Sequence, residues 1–443
     1  MTDSIYALSS APGRAGLAVV RLSGPGAGPA LLALAGRLPP PRLASRALLH
    51  DQMTGPIDDA LVLWFPGPAS FTGEDVAEFH IHGGKAVLAA LFAALARLPG
   101  LRLAEPGEFS RRAFQHGKLD LTAAEGLADL IDAETEAQRR QGLRQMQGEL
   151  GRLYDGWRAR LLRALAHVEA DIDFPEEDLP AGIAAAVAPE IARLQGEIAA
   201  HLADNRRGER LRDGVAVVIL GPPNAGKSSL LNALARREAA IVSDIAGTTR
   251  DIIEVQLDLG GYPVVLADTA GLRETADRIE GEGVRRALAR AESADLKLLL
   301  LDAAALENLP AEITALIDDN CLLIANKIDQ TPLPPDASLA GHKLLPLSVS
   351  SGQGLDALLT ALETAVAARY GQTGDASLTR ARHREALQHC AAALARFLSG
   401  AAPDAELAAE DLRLAARGLG RITGRVDVED VLDVVFRDFC IGK

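Results

Sequence analysis

Cysteine is scarce in this chain. It has three cysteines in 443 residues, Cys321, Cys390 and Cys440, which are widely spaced and odd in number. A disulfide framework needs paired cysteines and a structural zinc site needs clustered ones, so neither is expected. The pattern favours a reducing compartment.

Long apolar runs are also missing. The longest candidate, residues 87–96, is too short to cross a bilayer and indicates a core helix. The start of the chain, Met1-Thr2-Asp3-Ser4-Ile5, lacks the basic and then apolar pattern of a signal peptide. We therefore expect a soluble, cytoplasmic protein without a membrane segment.

Basic side chains are outnumbered. The chain has 46 lysines and arginines against 60 aspartates and glutamates, which gives a net charge of −14. This balance argues against a general nucleic-acid coat but leaves room for a local basic patch. The length suggests about three domains.

What the chain does contain is a phosphate-binding loop pattern, Gly221-Pro222-Pro223-Asn224-Ala225-Gly226-Lys227-Ser228-Ser229. An apolar run at 215–220 predicts a strand before it, and residues 229–234 predict a helix after it. The glycines let backbone N–H groups face a phosphate chain, Lys227 adds positive charge, and the Ser228 hydroxyl can ligate Mg²⁺. The alternative is a tight turn without a ligand, which the order of strand, loop and helix disfavours.

Further nucleotide motifs follow predicted strands. Asp329, in Asn326-Lys327-Ile328-Asp329, can accept from both N–H positions of guanine, so GTP is predicted over ATP. Thr249 is a second candidate hydroxyl ligand for Mg²⁺. An ATPase remains the alternative, and it conflicts with Asp329. The GTP-binding residues predicted from these motifs are Asn224, Ala225, Gly226, Lys227, Ser228, Ser229, Gly247, Thr248, Thr249, Asp268, Thr269, Ala270, Gly271, Asn326, Lys327, Asp329, Ser348, Val349 and Ser350, and the family resemblance described below adds Ser243, Asp244, Ile245 and Ala246.

Four segments are predicted from composition and periodicity. They are an α/β domain at 1–118, helices at 119–212, a nucleotide domain at 213–375 and further helices at 376–443. Strands are expected at 16–22, 60–65, 75–82, 215–220, 255–259, 264–267, 296–301, 321–325 and 344–347. Helices are expected at 85–98, 119–136, 149–172, 382–398 and 405–416, and one more helix is expected to follow the acidic stretch at 173–178 and to end at about residue 211. The nucleotide domain is expected to have a largely parallel sheet. The last segment is small for a hydrophobic core of its own, so we expect it to pack with the helices at 119–212. The nucleotide domain is therefore predicted to be an insertion within a helical domain.

Three weaker signals each have a plainer interpretation. His80 and His82 share a strand face, and a satisfied half-buried pair is favoured over a metal site. The acidic stretch at 173–178 favours a solvated loop over metal binding. The third signal is a cluster of four arginines, for which a solvated basic face is a more common explanation than RNA contact. These are Arg206, Arg207, Arg210 and Arg212.

Leu272 stands where well-known switch GTPases have a water-orienting glutamine. Because leucine cannot hydrogen-bond water, hydrolysis must be aided by another group, such as Glu274, Glu280 or Glu282, or by a bound cation. Asn224 and backbone carbonyls can hold a monovalent ion where an arginine finger would otherwise act.

Together these residues resemble the bacterial tRNA-modification GTPase family MnmE (TrmE) along essentially the whole chain. The resemblance is carried by Asn224 in the phosphate loop, by 245–251 and by 268–274. Motifs outside the nucleotide domain match as well, namely Phe71-Thr72-Gly73-Glu74-Asp75, Pro106-Gly107-Glu108-Phe109, Lys118-Leu119-Asp120-Leu121 and Cys440-Ile441-Gly442-Lys443.

The resemblance implies a multidomain fold with an N-terminal α/β folate-binding domain, a helical domain and an inserted Ras-like P-loop GTPase domain. It implies a homodimer formed through the N-terminal domains and a one-carbon donor, 5-formyl- or 5,10-methylene-tetrahydrofolate. By position, Arg21, Glu78, Lys118 and Lys443 are similar to the family's folate contacts. Carboxylates of a folate tail suit basic groups, and a pterin edge suits Glu78.

The resemblance also implies activation by potassium. Its ligands map to the Asn224 side chain and to carbonyls of Ser243, Ile245 and Thr248, while Asp244 is an added charge of unknown effect. The family's water-positioning acid maps to Glu280, and the catalytic set is thus Glu280, Asn224 and Lys227.

The implied partner is the FAD-dependent protein MnmG (GidA), which forms a heterotetramer with the homodimer. The complex modifies C5 of the tRNA wobble uridine with an aminomethyl-type group. A GTPase switch that gates ribosome or ribonucleoprotein assembly is the alternative, and folate binding discriminates the two. Cys440 is either a nucleophile in one-carbon chemistry or a packed, passive thiol.

Overall fold

The computed structural model describes residues 3–173, 183–237, 240, 254–268, 294–371, 377–400, 405–426, 432, 435–437, 439 and 442. Contacts between residues divide the chain into two compact units. The first comprises Met1–Ala128, Gln145–Leu194 and His389–Lys443, and the second comprises Asp129–Arg144 and Gln195–Gln388.

The first unit contains a six-stranded sheet. Its strands are β1 (Ser4–Leu8), β2 (Ala15–Ser23), β3 (Ser45–Asp51), β4 (Gly55–Phe65), β5 (Val76–Gly83) and β6 (Leu101–Leu103), in the order β3-β4-β5-β2-β1-β6. All neighbours are antiparallel except β1 and β6, which are parallel. The strands predicted at 16–22, 60–65 and 75–82 are confirmed, because alternating apolar side chains bury one face.

Two helices cover that buried face. They are α1 (Ala27–Ala35) and α2 (Lys85–Ala96), and Leu31 and Leu95 pack into the same core as Val20, Phe79 and Val62. Helix α2 ends two residues before the predicted boundary. The opposite face carries Arg21, Glu78 and His80.

The rest of the first unit is helical. It includes α3 (Glu108–Gln115), most of α4 (Leu121–Ile131), the last two residues of α5 (Glu136–Met146) and α6 (Glu149–Asp173), while the rest of α4 and of α5 belongs to the second unit. The chain then forms α7 (Ile183–Leu202) and α8 (Arg207–Asp213), where one helix was predicted. Arg206, at the junction between them, has a left-handed backbone with φ 54°.

The prediction of one long helix at 119–136 was wrong. Helix α4 ends at Ile131, and α5 restarts at Glu136. Thr135 and Gln138 form a reciprocal cap, in which the Gln138 Oε1 accepts from the Thr135 N–H at 3.0 Å and the Thr135 Oγ1 accepts from the Gln138 N–H at 3.4 Å. This capping box starts a new helix, and its Thr-x-x-Gln pattern is visible in the sequence.

The second unit contains a seven-stranded sheet. Its strands are β7 (Val215–Leu220), β8 (Glu254–Leu259), β9 (Tyr262–Asp268), β10 (Leu296–Asp302), β11 (Cys321–Asn326), β12 (Ser338–Leu339) and β13 (His342–Pro346), in the order β12-β13-β11-β10-β7-β9-β8. The β13-β11-β10-β7-β9 neighbours are parallel, whereas β8 and β12 are antiparallel edges. The predicted strands are confirmed, and β12 was missed because it has only two residues.

Among the described residues of this unit, further helices are α9 (Lys227–Ala235), α10 (Ala311–Thr314) and α11 (Leu355–Tyr370), and a 3-10 helix spans Ala303–Asn308. The start of α5 contacts the β8–β9 turn, because the Ala137 N–H donates to the Gly261 carbonyl at 3.0 Å. This segment, predicted to belong to the helical domain, therefore also has a contact with the seven-stranded sheet.

The C-terminal helices are α12 (Ala381–Ser399) and α13 (Ala405–Thr423). Helix α13 packs along α6, with ion pairs from Arg413 to Glu169 at 2.9 Å and from Arg425 to Asp155 at 3.0 Å. The chain thus returns to the earlier helices after the nucleotide domain, and the predicted insertion is confirmed. No helix within the described ranges is both long and apolar enough to cross a membrane.

Candidate functional site

The phosphate loop joins β7 to α9. Gly221 and Gly226 have φ angles of 144° and 100°, and Asn224 is also left-handed at 61°. A Cβ added at Gly221 would collide with the Leu300 carbonyl, and one at Gly226 would lie 2.6 Å from Asn326 Nδ2. Only glycine fits these positions, and the curled backbone leads into a helix N-terminus, which suits phosphate.

Polar side chains flank this cradle. The Lys227 ammonium donates to the carbonyls of Gly221 at 2.9 Å and Pro222 at 3.0 Å, so it lies along the loop. Ser228 and Ser229 are exposed on the first turn of α9, and Asn224 is exposed at the tip of the loop. The set provides a cation, a hydroxyl and an amide oxygen, which fit a phosphate chain with its metal ions.

The candidate base subsite is tied to the phosphate loop by Asn326. This side chain is 3% exposed, donates to the Ala225 carbonyl at 2.8 Å and accepts from the Val349 N–H at 3.1 Å. Ser348 and Ser350 are hydrogen-bonded to each other at 3.0 Å. Asp329 is exposed, so its carboxylate is accessible to a ligand.

Part of the predicted nucleotide site lies outside the described residues. Asp268 ends β9 and is paired in register with Ile219 of β7, so its backbone lies at the phosphate-loop end of the sheet. The candidates outside the described residues are Ser243, Asp244, Ile245, Ala246, Gly247, Thr248, Thr249, Thr269, Ala270, Gly271 and Glu280, with Leu272, Glu274 and Glu282.

A second polar cluster lies on the N-terminal sheet. The Arg21 guanidinium pairs with Glu78 at 3.0 Å, and the same carboxylate contacts His80 Nε2 at 3.1 Å. Arg21 also lies 5.3 Å from the Phe71 ring centroid and 6.0 Å from that of Phe109. The Arg21 guanidinium is thus half-buried, paired with a carboxylate and framed by two aromatic rings, which attract a cation.

Lys118 lies beside the same loop as Phe71. A Cβ added at Gly73 would lie 3.4 Å from the Lys118 Cε. The C-terminus also approaches this sheet, since the Ser9 hydroxyl donates to the Gly442 carbonyl at 3.1 Å. Gly442 contacts Leu8, which is paired with Val20, the neighbour of Arg21. Lys443 lies outside the described residues.

Sequence reasoning missed the ion network behind this cluster. Arg112 is 1% exposed and contacts Asp3 at 3.1 Å, Glu74 at 3.2 Å and Glu108 at 3.0 Å. Glu74 also accepts from the Ser23 hydroxyl at 2.8 Å. The Phe-Thr-Gly-Glu motif was recognised, but its partner at position 112 is visible only in the fold.

The weaker signals have ordinary explanations. His80 pairs with Glu78 and His82 with Asp58, and no metal cluster is found among the described residues. His82 is 70% exposed in its side chain rather than half-buried.

The basic cluster is only partly the expected solvated face, because Arg206 and Arg212 are exposed but Arg210 and Arg212 are engaged in ion pairs. Arg210 pairs with Asp295 at 2.8 Å, and Arg212 with Asp129 at 3.2 Å. Cys321 and Cys390 are buried thiols without a disulfide, whereas Cys440 and 174–178 lie outside the described residues.

Comparison with known proteins agrees with this geometry. The family model of the GTP-binding protein TrmE N-terminus matches residues 4–118, and that of the MnmE helical domain matches residues 121–440. A protein of Parvibaculum lavamentivorans is 61% identical over 100% of both chains. One of Rhodospirillum rubrum is 59% identical over 100% of this chain and 99% of its own. Both are named tRNA modification GTPase MnmE.

Among solved structures, the G domain of the T. maritima FeoB iron transporter is 25% identical, covers 34% of this chain and 98% of its own, and has a TM-score of 0.26. The inserted sheet, its phosphate loop and the full-length relatives define a P-loop GTPase. Because the relatives match end to end at more than half identity, the chain belongs to the MnmE (TrmE) family of tRNA modification GTPases.

Proposed function

We propose that this chain is a potassium-activated GTP hydrolase that supports modification of the tRNA wobble uridine. With an FAD-dependent MnmG (GidA) partner, it installs an aminomethyl-type group at C5, using 5-formyl- or 5,10-methylene-tetrahydrofolate. The observation that carries the proposal is the 61% full-length identity with a relative named tRNA modification GTPase MnmE. The working unit is a homodimer in the cytoplasm, assembled with the partner as a heterotetramer, and its domains are 1–118, 119–212, 213–375 and 376–443.

At the nucleotide site, Lys227 contacts the phosphates, Ser228 and Thr249 ligate Mg²⁺, and Asp329 reads guanine. Support comes from the glycine-lined cradle and from the bond between Asn326 and Ala225. A divalent ion there neutralises the charge that develops on the transferred phosphoryl group. Potassium is held by the Asn224 side chain with the carbonyls of Ser243, Ile245 and Thr248, while Glu280 positions the water.

The folate donor is proposed to bind at Arg21, Glu78, Lys118 and Lys443. The support is that Arg21 and Glu78 are paired and half-buried, and that Lys118 flanks the loop whose Phe71 faces Arg21. The carboxylates of a folate tail would be met by basic groups. Gly442 against Leu8 brings the chain end to this same domain.

Reconstitution tests the whole reaction. The purified chain is incubated with the MnmG of Parvibaculum lavamentivorans, an unmodified tRNA transcript, GTP, K⁺ and the folate donor, and nucleosides are analysed by mass spectrometry. We expect a wobble uridine carrying an aminomethyl-type group. If that organism's own MnmE gives product under the same conditions and this chain gives none, the proposal is wrong.

Folate binding is tested separately by calorimetry with 5-formyl-tetrahydrofolate. Arg21→Ala should weaken binding strongly. Arg46→Ala is the matched control, because Arg46 pairs with Asp59 on the same sheet but its side chain is 80% exposed. Equal losses in both variants would mean that Arg21 has no specific role.

A further inference from the structure

Asp302 is the last residue of β10, and its carboxylate lies 2.8 Å from the Nζ of Lys327. We propose that Asp302 is a positioning residue for guanine nucleotides, which acts by holding the Lys327 side chain beside Asp329. The proposal rests on GTP binding at this site and adds a residue that lies outside the nucleotide motifs.

The backbone fixes where the Lys327 side chain begins. Asp302 and Asn326 are paired in register at the ends of β10 and β11. Lys327 follows directly, with a left-handed φ of 64°, and the next N–H, that of Ile328, donates to the Leu347 carbonyl at 3.2 Å. Since the preceding residue, Asn326, is also bonded to the phosphate loop, the backbone that leads into Lys327 is anchored to that loop.

The end of the side chain is paired with Asp302. A lysine stem has four rotatable bonds, so a fixed Cα alone leaves the ammonium free to sample many directions. The ion pair restricts those directions, and the hydrogen bond from Lys327 holds the pKa of Asp302 below its usual value. The apolar stem then runs from the backbone toward Asp302 and offers a surface on which a purine ring can pack.

The pair contributes little to folding. The side chains of Lys327 and Asp302 are 33% and 28% exposed, and ion pairs at such positions have small effects on stability. Loss of the pair should therefore change nucleotide binding without a measurable change in folding, if the proposal is correct. Asp302 has one structural duty, because its Oδ1 accepts from the Ala304 N–H at 3.0 Å and caps the 3-10 helix Ala303–Asn308.

Asp302→Asn separates the two roles, since asparagine keeps an oxygen for the cap but loses the charge. Lys327→Met keeps an apolar stem and removes the ammonium. We expect Asp302→Asn to raise the Kd for GTP and for GDP about twofold to fivefold, the range of an exposed ion pair. Hydrolysis at saturating GTP and the melting temperature should not change.

The double variant tests whether Asp302 acts through Lys327. Fluorescent-nucleotide titrations of the full chain are made for wild type, both single variants and Asp302→Asn/Lys327→Met. We expect Asp302→Asn to have no further effect in the Lys327→Met background. An unchanged Kd in Asp302→Asn, or the same weakening in both backgrounds, overturns the proposal, because the residue would then be inert or would act through the cap.

Asp329→Asn distinguishes this inference from the site assignment itself. It should lower the preference for guanine over other purine nucleotides, whereas Asp302→Asn should keep that preference. If wild type binds no guanine nucleotide, the assignment of the site fails, and the role of Asp302 falls with it.

Discussion

The side-chain amide of Asn326 donates to the backbone carbonyl of Ala225 at 2.8 Å and so joins the candidate base subsite to the phosphate loop. The two residues are 101 positions apart and belong to different motifs. The same side chain accepts from the Val349 N–H at 3.1 Å. One buried amide therefore fixes three nucleotide motifs relative to one another.

Asn326→Ala should lower both stability and nucleotide affinity. It leaves the Ala225 carbonyl and the Val349 N–H without this partner, which costs about 1–3 kcal/mol for a buried polar group. Thermal unfolding and GTP titration measure the two effects. Ser350→Ala is the control, because it removes one exposed hydroxyl from the same site. Similar losses in both variants would contradict a bridging role for Asn326.

Arg112→Met should destabilise the N-terminal domain by about 3–5 kcal/mol, because it removes a buried cation from the largely buried carboxylates Glu74 and Glu108, whose side chains are 11% and 12% exposed. The matched control is Arg102→Met, since Arg102 also pairs with Glu108 but its side chain is 44% exposed, and such a pair is worth about 0–1 kcal/mol. Chemical denaturation followed by circular dichroism gives both values. A smaller loss at Arg112 than at Arg102 would contradict the network as described.

Two glycines at the ends of α3 form a matched pair for testing the C-terminal segment. Gly107 and Gly117 have φ angles of 67° and 68°. A Cβ at Gly107 would collide with the Phe436 carbonyl, whereas nothing lies within 4 Å at Gly117. Both changes to alanine introduce backbone strain of about 1–2 kcal/mol, but only Gly107→Ala should also displace the C-terminal segment.

Limited proteolysis of the C-terminus and folate calorimetry measure this displacement. We expect Gly107→Ala to accelerate cleavage near the C-terminus and to weaken folate binding, because Lys443 is among the proposed folate contacts. Gly117→Ala should resemble wild type in both measurements. Equal behaviour of the two variants would show that the position of the C-terminal segment does not depend on this contact.

The buried hydroxyl of Tyr370 should make the protein less stable at alkaline pH. Burial, with a contribution from Asp295, raises its pKa to about 12, whereas an unfolded tyrosine ionises near 10. Its contribution is therefore fully present below pH 10 and is lost between pH 10 and 12, where the unfolded chain binds fewer protons. Tyr370→Phe should make this decline shallower in denaturation experiments, and an unchanged slope would refute the assignment.

The sequence predicted the nucleotide site because its signals are local. The strands at 215–220 and 321–325 are apolar runs that end at recognisable loops, and strand ends in a parallel sheet meet at one edge. The N-terminal strands were found for the same reason, because their alternation of buried and exposed positions is regular.

Long-range pairings were not predictable in this way. From the sequence alone, Arg112 would be predicted to lie on the surface. It can be buried because the fold brings Asp3, Glu74 and Glu108 together around it. The sequence likewise predicts a basic face at Arg210 and Arg212. In the fold, Arg210 pairs with Asp295 and Arg212 pairs with Asp129. The restart of the helix at Thr135 was a local signal and could have been recognised.

The most direct test of the proposed mechanism is to measure GTP hydrolysis in potassium buffer and in sodium buffer at matched ionic strength. Both the wild-type protein and Asn224→Ala are measured. Asn224 is exposed at the left-handed tip of the phosphate loop, with φ 61°. We predict strong stimulation by potassium that Asn224→Ala abolishes. Equal rates of wild type in the two salts would remove potassium as the activator, and Glu280 or the partner protein would have to supply the missing catalysis.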